Sequence, residues 1–178
     1  MGGPNPISNE YTSDNNIIDI KGLRDETSQN IISLFEEASK LNLTLGLEPI
    51  GGWEILKKGH FNSIASCLKL VKDNNHKLII DLYHSFTDAD LDTFLRKSPN
   101  LGLLQFSNLS FDKNLRPTGR KTINDLNNQN NLDLSKYIKY IFNRKDKIKI
   151  EFEVFASDVN EDPKEIILNL KSEILKLL

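Results

Sequence analysis

The sequence predicts an α/β fold made of parallel βα units belonging to a barrel, and three observations lead there. Short apolar runs alternate with amphipathic helical runs along the chain. The apolar runs are near-continuous rather than strictly alternating, as in strands covered on both faces. Each run ends on an acid or an amide: Leu43-Thr44-Leu45-Gly46-Leu47 on Glu48, Lys77-Leu78-Ile79-Ile80 on Asp81 with His84 three residues on, Leu101-Gly102-Leu103-Leu104 on Gln105, and Lys147-Ile148-Lys149-Ile150 on Glu151 and Glu153. An unpaired buried carboxylate is strongly destabilising, so strands that end this way point to one shared site where a cation offsets the repulsion. Chemistry at the carboxyl ends of successive strands is the habit of a barrel, whereas an open doubly wound sheet gathers its site at one switch point.

The elements follow in order. Residues 27–41 carry Ile31, Ile32, Leu34, Phe35, Ala38 and Leu41 at helical spacing after a polar start at Asp25 to Ser28, and the first strand is expected over 43–48. A second helix over 61–73 presents Phe61, Ile64, Leu68 and Val71, and the second strand covers 77–83. Thr87 with Asp90 resembles a capping box opening a short helix through Leu91, Phe94 and Leu95, which Pro99 helps to end before a third strand over 101–107. Residues 108–131 read as a long polar, Asn-rich loop on the catalytic face, a class of segment that is usually functional or mobile. Asp133 then caps a helix with Leu134, Tyr137, Ile138 and Ile141. The fourth strand covers 147–155, and Asp162 and Pro163 open a final helix striped by Ile166, Ile167, Leu170, Ile174 and Leu177. There is no internal repeat beyond this alternation.

Length and composition set the frame. A chain of 178 residues is one domain, or a large piece of one, with enough length to bury a core. A formal net charge of -2 argues against general affinity for nucleic acid or for an anionic membrane. Cys67 is the one cysteine, which excludes a disulfide framework and a cysteine metal cage and fits a reducing cytoplasm. The opening Met1-Gly2-Gly3-Pro4-Asn5-Pro6 has neither the basic nor the apolar segment of a signal peptide, and no apolar run is long enough for a bilayer. A soluble, cytoplasmic protein is expected.

The motifs Leu47-Glu48-Pro49, Asp81-Leu82-Tyr83-His84, Gln105-Phe106-Ser107-Asn108, Arg116-Pro117-Thr118-Gly119 and Glu151-Phe152-Glu153-Val154-Phe155 stand in an order and spacing that resembles the xylose isomerase-like TIM barrels. That group includes sugar-phosphate isomerases and epimerases, ketose 3-epimerases, inosose and 3-dehydroshikimate dehydratases, and endonuclease IV-type repair enzymes. No single motif is specific; their ordered combination is. The resemblance covers essentially the whole chain and implies the second, C-terminal half of a barrel, strands five to eight with their covering helices. Carried over position by position, it implies a divalent metal held by Glu48, Asp81, Gln105 and Glu153. It also implies substrate contacts from His84 and Arg116, with Glu48 or Glu153 moving a proton.

The residues read alone leave alternatives open. Glu48 and Asp81 could be solvated strand ends, Gln105 could satisfy backbone groups, His84 could cap the next helix, and Arg116 could be an ordinary solvated arginine. Trp53 is a candidate stacking wall for a sugar ring, with plain packing as the competing reading. Glu151 shares a strand face with Glu153 and is a candidate supporting acid. Three carboxylates and an amide oxygen make an all-oxygen donor set suited to Mn²⁺ or Mg²⁺ more than Zn²⁺.

The expected activity is therefore isomerisation or epimerisation of a sugar or sugar phosphate, by proton transfer through a metal-stabilised enediolate. Two alternatives stand beside it: a dehydratase of the dehydroshikimate or inosose type, and a non-catalytic half-barrel with a vestigial site. Endonuclease IV-type repair fits poorly, since three histidines without a basic excess do not supply its zinc cluster. The chain departs from the family pattern in length, in Asn108 where many relatives carry Asp, and in the weakly matching stretch 110–130. Full barrels need about eight βα units and about 250 residues. Four parallel strands cannot close on themselves, so a second copy or a partner chain is expected to cover the open edges, unless this is a degenerate copy or an open sheet with masked edges.

Overall fold

A computed structural model describes residues 20–51, 61–114, 117–123, 132–155, 157 and 160–177. Strands β1 (Gly46–Leu47), β2 (Lys77–Asp81), β3 (Leu101–Phe106) and β6 (Lys149–Phe152) form one sheet, all parallel and lying side by side in chain order. Each crossover steps one strand further in the same direction. Among the described residues the order does not reverse and there is no switch point, and the arrangement is that of an arc of barrel with β1 and β6 as its edges. Helices α1 (Ile20–Lys40), α2 (Ile64–Asp73), α3 (Leu82–Ser85), α4 (Leu91–Lys97), α5 (Leu134–Phe142) and α6 (Pro163–Leu175) alternate with the strands.

The helix starts follow from capping chemistry. Ser63 Oγ accepts from Ser66 N (3.2 Å), Asp133 Oδ1 from Lys136 N (3.0 Å) and Asp162 Oδ1 from Lys164 N (2.8 Å), each satisfying a donor that the first helical turn leaves open. The capping box expected from Thr87 and Asp90 is replaced by a bridge. Asp88 accepts from Asp90 N (2.9 Å) and from Ile64 N (2.7 Å), which ties the start of α2 to the turn that opens α4. A single carboxylate thus satisfies two orphan amides from different elements.

The core lies between sheet and helices. Leu78, Ile80, Leu101 and Leu104 of the sheet pack with Ile64, Cys67, Val71, Leu91, Leu95 and Ile138 of the helices, all essentially buried. Burial pushes the Cys67 thiol up to about 12, so it behaves as a small apolar side chain. His76 fixes the start of the sheet. Its Nδ1 accepts from Leu45 N (3.0 Å), its Nε2 lies 3.1 Å from Phe35 O, and its ring stacks on Phe35 at 4.2 Å.

Two segments differ from the sequence expectation. Residues 108–131, expected as a loop, hold an antiparallel hairpin of β4 (Asn108–Phe111) and β5 (Pro117–Lys121). Leu109 is buried and the Phe111 ring meets Phe86 at 5.8 Å, so this polar segment gains apolar anchors at alternate positions. The strands are also shorter than expected. Leu43 and Thr44 stay exposed ahead of β1. At the end of β2, Asp81 Oδ1 accepts from Tyr83 N (2.9 Å) and turns the chain into α3 instead of continuing to residue 83. Among the apolar positions of the last helix, Ile166 is buried but Ile167 is 64% exposed.

Candidate functional site

The parallel register brings the strand ends to one edge of the sheet. Asp81 is paired with Gln105 and Gln105 with Glu151, so these three share a level and a face. Glu48 directly follows β1, Glu153 follows β6, and His84 rides on α3, the short helix that Asp81 itself caps. Glu153 N donates to Phe106 O (3.1 Å), which carries the β3–β6 pairing one bond past the strand and holds the acid at the site.

Glu48, Asp81 and His84 converge. One donor atom from each lies within 4.8 Å of the others. His84 Nε2 is 4.0 Å from Glu48 Oε1 and 3.9 Å from Asp81 Oδ2. Two ligands of one ion with bonds of about 2.0–2.2 Å can be at most about 4.4 Å apart. The two separations from His84 therefore lie at the wide end of what a single cation can hold. Two carboxylates and an imidazole are the right donor chemistry for a divalent ion.

A fourth group enters from the hairpin. Arg120, on β5 and 5% exposed, makes an ion pair through Nη2 with Asp81 Oδ2 and lies 3.3 Å from Glu153 Oε2. Its guanidinium carbon sits over the Tyr83 ring (4.4 Å to the centroid) and over the Phe155 ring (4.7 Å). The acids repel one another and are poorly solvated. Burial, and then the neighbouring Asp81 charge, push the Glu48 carboxyl up to about 7. Burial also raises Asp81, against the opposing pull of Arg120 and of the Tyr83 amide.

The other expected site residues are placed as follows. Gln105 Nε2 donates to Glu151 Oε2 (3.4 Å) in an exposed pair. His84 lies in the acid group. Trp53 and Arg116 fall outside the described residues. Arg120 was not singled out in the sequence, because it sits in a segment that reads as loop. The available signal was indirect: several acids gathered at one site call for a positive partner, and this arginine is near in sequence to the strand-three end.

No protein-family model and no curated protein matches the sequence. Solved structures do match. The apo form of 3-keto-D-glucoside 4-epimerase, YcjR, from E. coli aligns over 90% of this chain and 56% of its own, at TM-score 0.63 and 16% identity. IolI protein with a binding zinc atom aligns over 92% and 59%, at TM-score 0.66 and 12% identity. D-psicose 3-epimerase with D-tagatose from Clostridium cellulolyticum H10 aligns over 91% and 57%, at TM-score 0.61 and 14% identity. Another match is described as a xylose isomerase-like TIM barrel fused to 4-hydroxyphenylpyruvate dioxygenase. The chain has the fold of part of a TIM barrel, like that of these structures. It spans a little over half the length of YcjR, of IolI and of the D-psicose 3-epimerase. No described helix is long and apolar enough to cross a membrane.

Proposed function

We propose that this chain forms the cation-holding part of a sugar or sugar-phosphate isomerase or epimerase. The observation that carries the reading is the convergence of Glu48, Asp81 and His84 at the carboxyl ends of adjacent strands. The structural neighbours support it, since several are sugar epimerases. Glu48, Asp81 and His84 would hold the ion, with Glu153 and Gln105 as further candidate ligands, and Mn²⁺ or Mg²⁺ suits the preponderance of oxygen donors. When bound, such an ion acidifies the carbon between a substrate carbonyl and its neighbouring hydroxyl.

The protein's own groups would do the rest. Glu48 would take the proton from one face of that carbon, and epimerisation requires a second group to return it to the other face. Glu153, anchored beside Arg120, is the second candidate acid–base group. Arg116 and Trp53 remain candidates for substrate contact. The edge strands β1 and β6 would be covered by further strands, from a second copy or another chain.

The test is deuterium uptake. The full chain with Mn²⁺ is incubated in D₂O with ketohexoses and ketose phosphates, and NMR follows the carbon next to the carbonyl. Uptake that disappears in Glu48→Gln is expected; a protein that binds Mn²⁺ yet gives no uptake with any of these sugars would overturn the catalytic reading. A second reading, a non-catalytic half-barrel, is favoured by the arginine already lodged between Asp81 and Glu153. The same experiment decides between them.

A further inference from the structure

We propose that Arg120 is a built-in competitor for the divalent cation, so that the β4–β5 hairpin sets how tightly the acid cluster holds metal. The inference rests on the reading of Glu48, Asp81 and His84 as a cation site and goes beyond it. Asp81 Oδ2 faces His84 Nε2 at 3.9 Å and is also the oxygen that Arg120 Nη2 contacts. The same Nη2 reaches Glu153 Oε2 at 3.3 Å. A guanidinium carries a permanent charge and only donors, so it can neutralise carboxylates but cannot share them with an ion at the same lone pair.

The placement is built rather than incidental. Arg120 is 5% exposed, and its guanidinium lies against two aromatic faces, Tyr83 from α3 and Phe155 beyond β6. One helix and the segment after the last strand therefore shape its seat. β5 is held to β4 with Arg120 opposite Leu109, a residue only 1% exposed, so the arginine is carried on an anchored strand. For a divalent ion to take up Asp81, the guanidinium must leave that oxygen, and the two positive charges would otherwise sit within a few ångströms in a poorly solvated place. Arg120 and the ion are thus negatively coupled ligands of one carboxylate pair. Coupling of this kind typically changes affinity by about 5- to 150-fold.

The test measures metal rather than turnover. Mn²⁺ binding to the full chain is titrated by electron paramagnetic resonance for wild type, Arg120→Gln and Arg120→Lys, with circular dichroism confirming the fold. Arg120→Gln is expected to bind Mn²⁺ at least about tenfold tighter than wild type. Arg120→Lys, which keeps the charge but loses the fork and the flat stacking surface, is expected to fall between them and serves alone if the glutamine variant does not fold. Equal or weaker binding by a folded variant overturns the competition while leaving the cation site standing. No Mn²⁺ binding by any of the three removes the cation site itself, and the proposal with it.

Discussion

Arg120 and His84 approach the same atom of Asp81 from two directions: the guanidinium is paired with Oδ2, and the imidazole Nε2 stands 3.9 Å from that oxygen. Asp81 spends its other oxygen on the Tyr83 amide, which starts the short helix that carries His84. One side chain therefore ends a strand, aims the histidine and anchors the hairpin arginine. Its position in the buried sheet makes each role costly to lose.

The first prediction concerns that ion pair. Arg120→Met leaves Asp81 buried without its counter-charge, and Asp81→Asn takes the nearer of two carboxylates from Arg120 and leaves it Glu153. Each is expected to destabilise the metal-free chain by about 3–5 kcal/mol. Because both remove the same interaction, the double variant should fall short of the sum by about 1–3 kcal/mol. Urea denaturation in the presence of a chelator measures this; strict additivity would mean that the pair is not coupled.

The second concerns pH. Glu48 has an ordinary value of 4.5 and is held at about 7 in the folded chain, chiefly by burial. Between those values the folded state keeps a proton that the unfolded state has released. Stability must then fall as pH rises across that window and level off above it. The metal-free chain should melt at a lower temperature near about pH 8 than near about pH 5, and Glu48→Gln should flatten the slope. Burial raises Asp81 in the same direction, so some slope will survive in that variant. A melting temperature that climbs through the window would contradict the placement of Glu48.

How much of this was legible in the sequence depended on the range of the interaction. The parallel βα order and the helix caps Asp133 and Asp162 are local, because a cap bonds within its own first turn. The strand ends also declared Glu48 and Asp81, since apolar runs terminating in acids are visible without a partner. The hairpin was missed because its anchors, Leu109 and Phe111, stand among polar residues whose composition reads as loop. Arg120 was missed for a stronger reason. Its partner Asp81 lies 39 residues away, and only the folding of the hairpin over the sheet brings them together. The same holds for Asp88, whose bond to Ile64 N links the starts of two helices and displaces the capping box that local spacing suggested.

The third prediction tests how the site's first strand is held. His76 is buried and links Leu45 N, just ahead of β1, to Phe35 O of α1. His76→Ala removes two backbone contacts and the stack on Phe35, and should lower stability by about 2–4 kcal/mol. Since Leu45 leads directly to Glu48, Mn²⁺ affinity should fall as well. His76→Phe, which restores ring volume without the nitrogens, should recover part of the stability but not the affinity. Full recovery of both by phenylalanine would reduce His76 to a space-filler.

The last prediction concerns the glycine at the same strand. A Cβ at Gly46 would meet Ile79 Cγ1 and Cδ1 of the neighbouring strand, both at 2.6 Å, which is closer than side-chain carbons approach. Isoleucine is branched at Cβ and stiff at χ1, so Cγ1 cannot swing clear as the end of a long chain could. Gly46→Ala must therefore push β1 from β2 or force Ile79 off its rotamer, costing about 1–3 kcal/mol. Gly46 and Glu48 are two residues apart, so extended backbone would carry the displacement to the acid on the same face. Ile79→Ala opens the space, and the double variant should then be more stable than the two single losses predict. A measured sum with no such recovery would show that the close approach of β1 to β2 is not what requires glycine there.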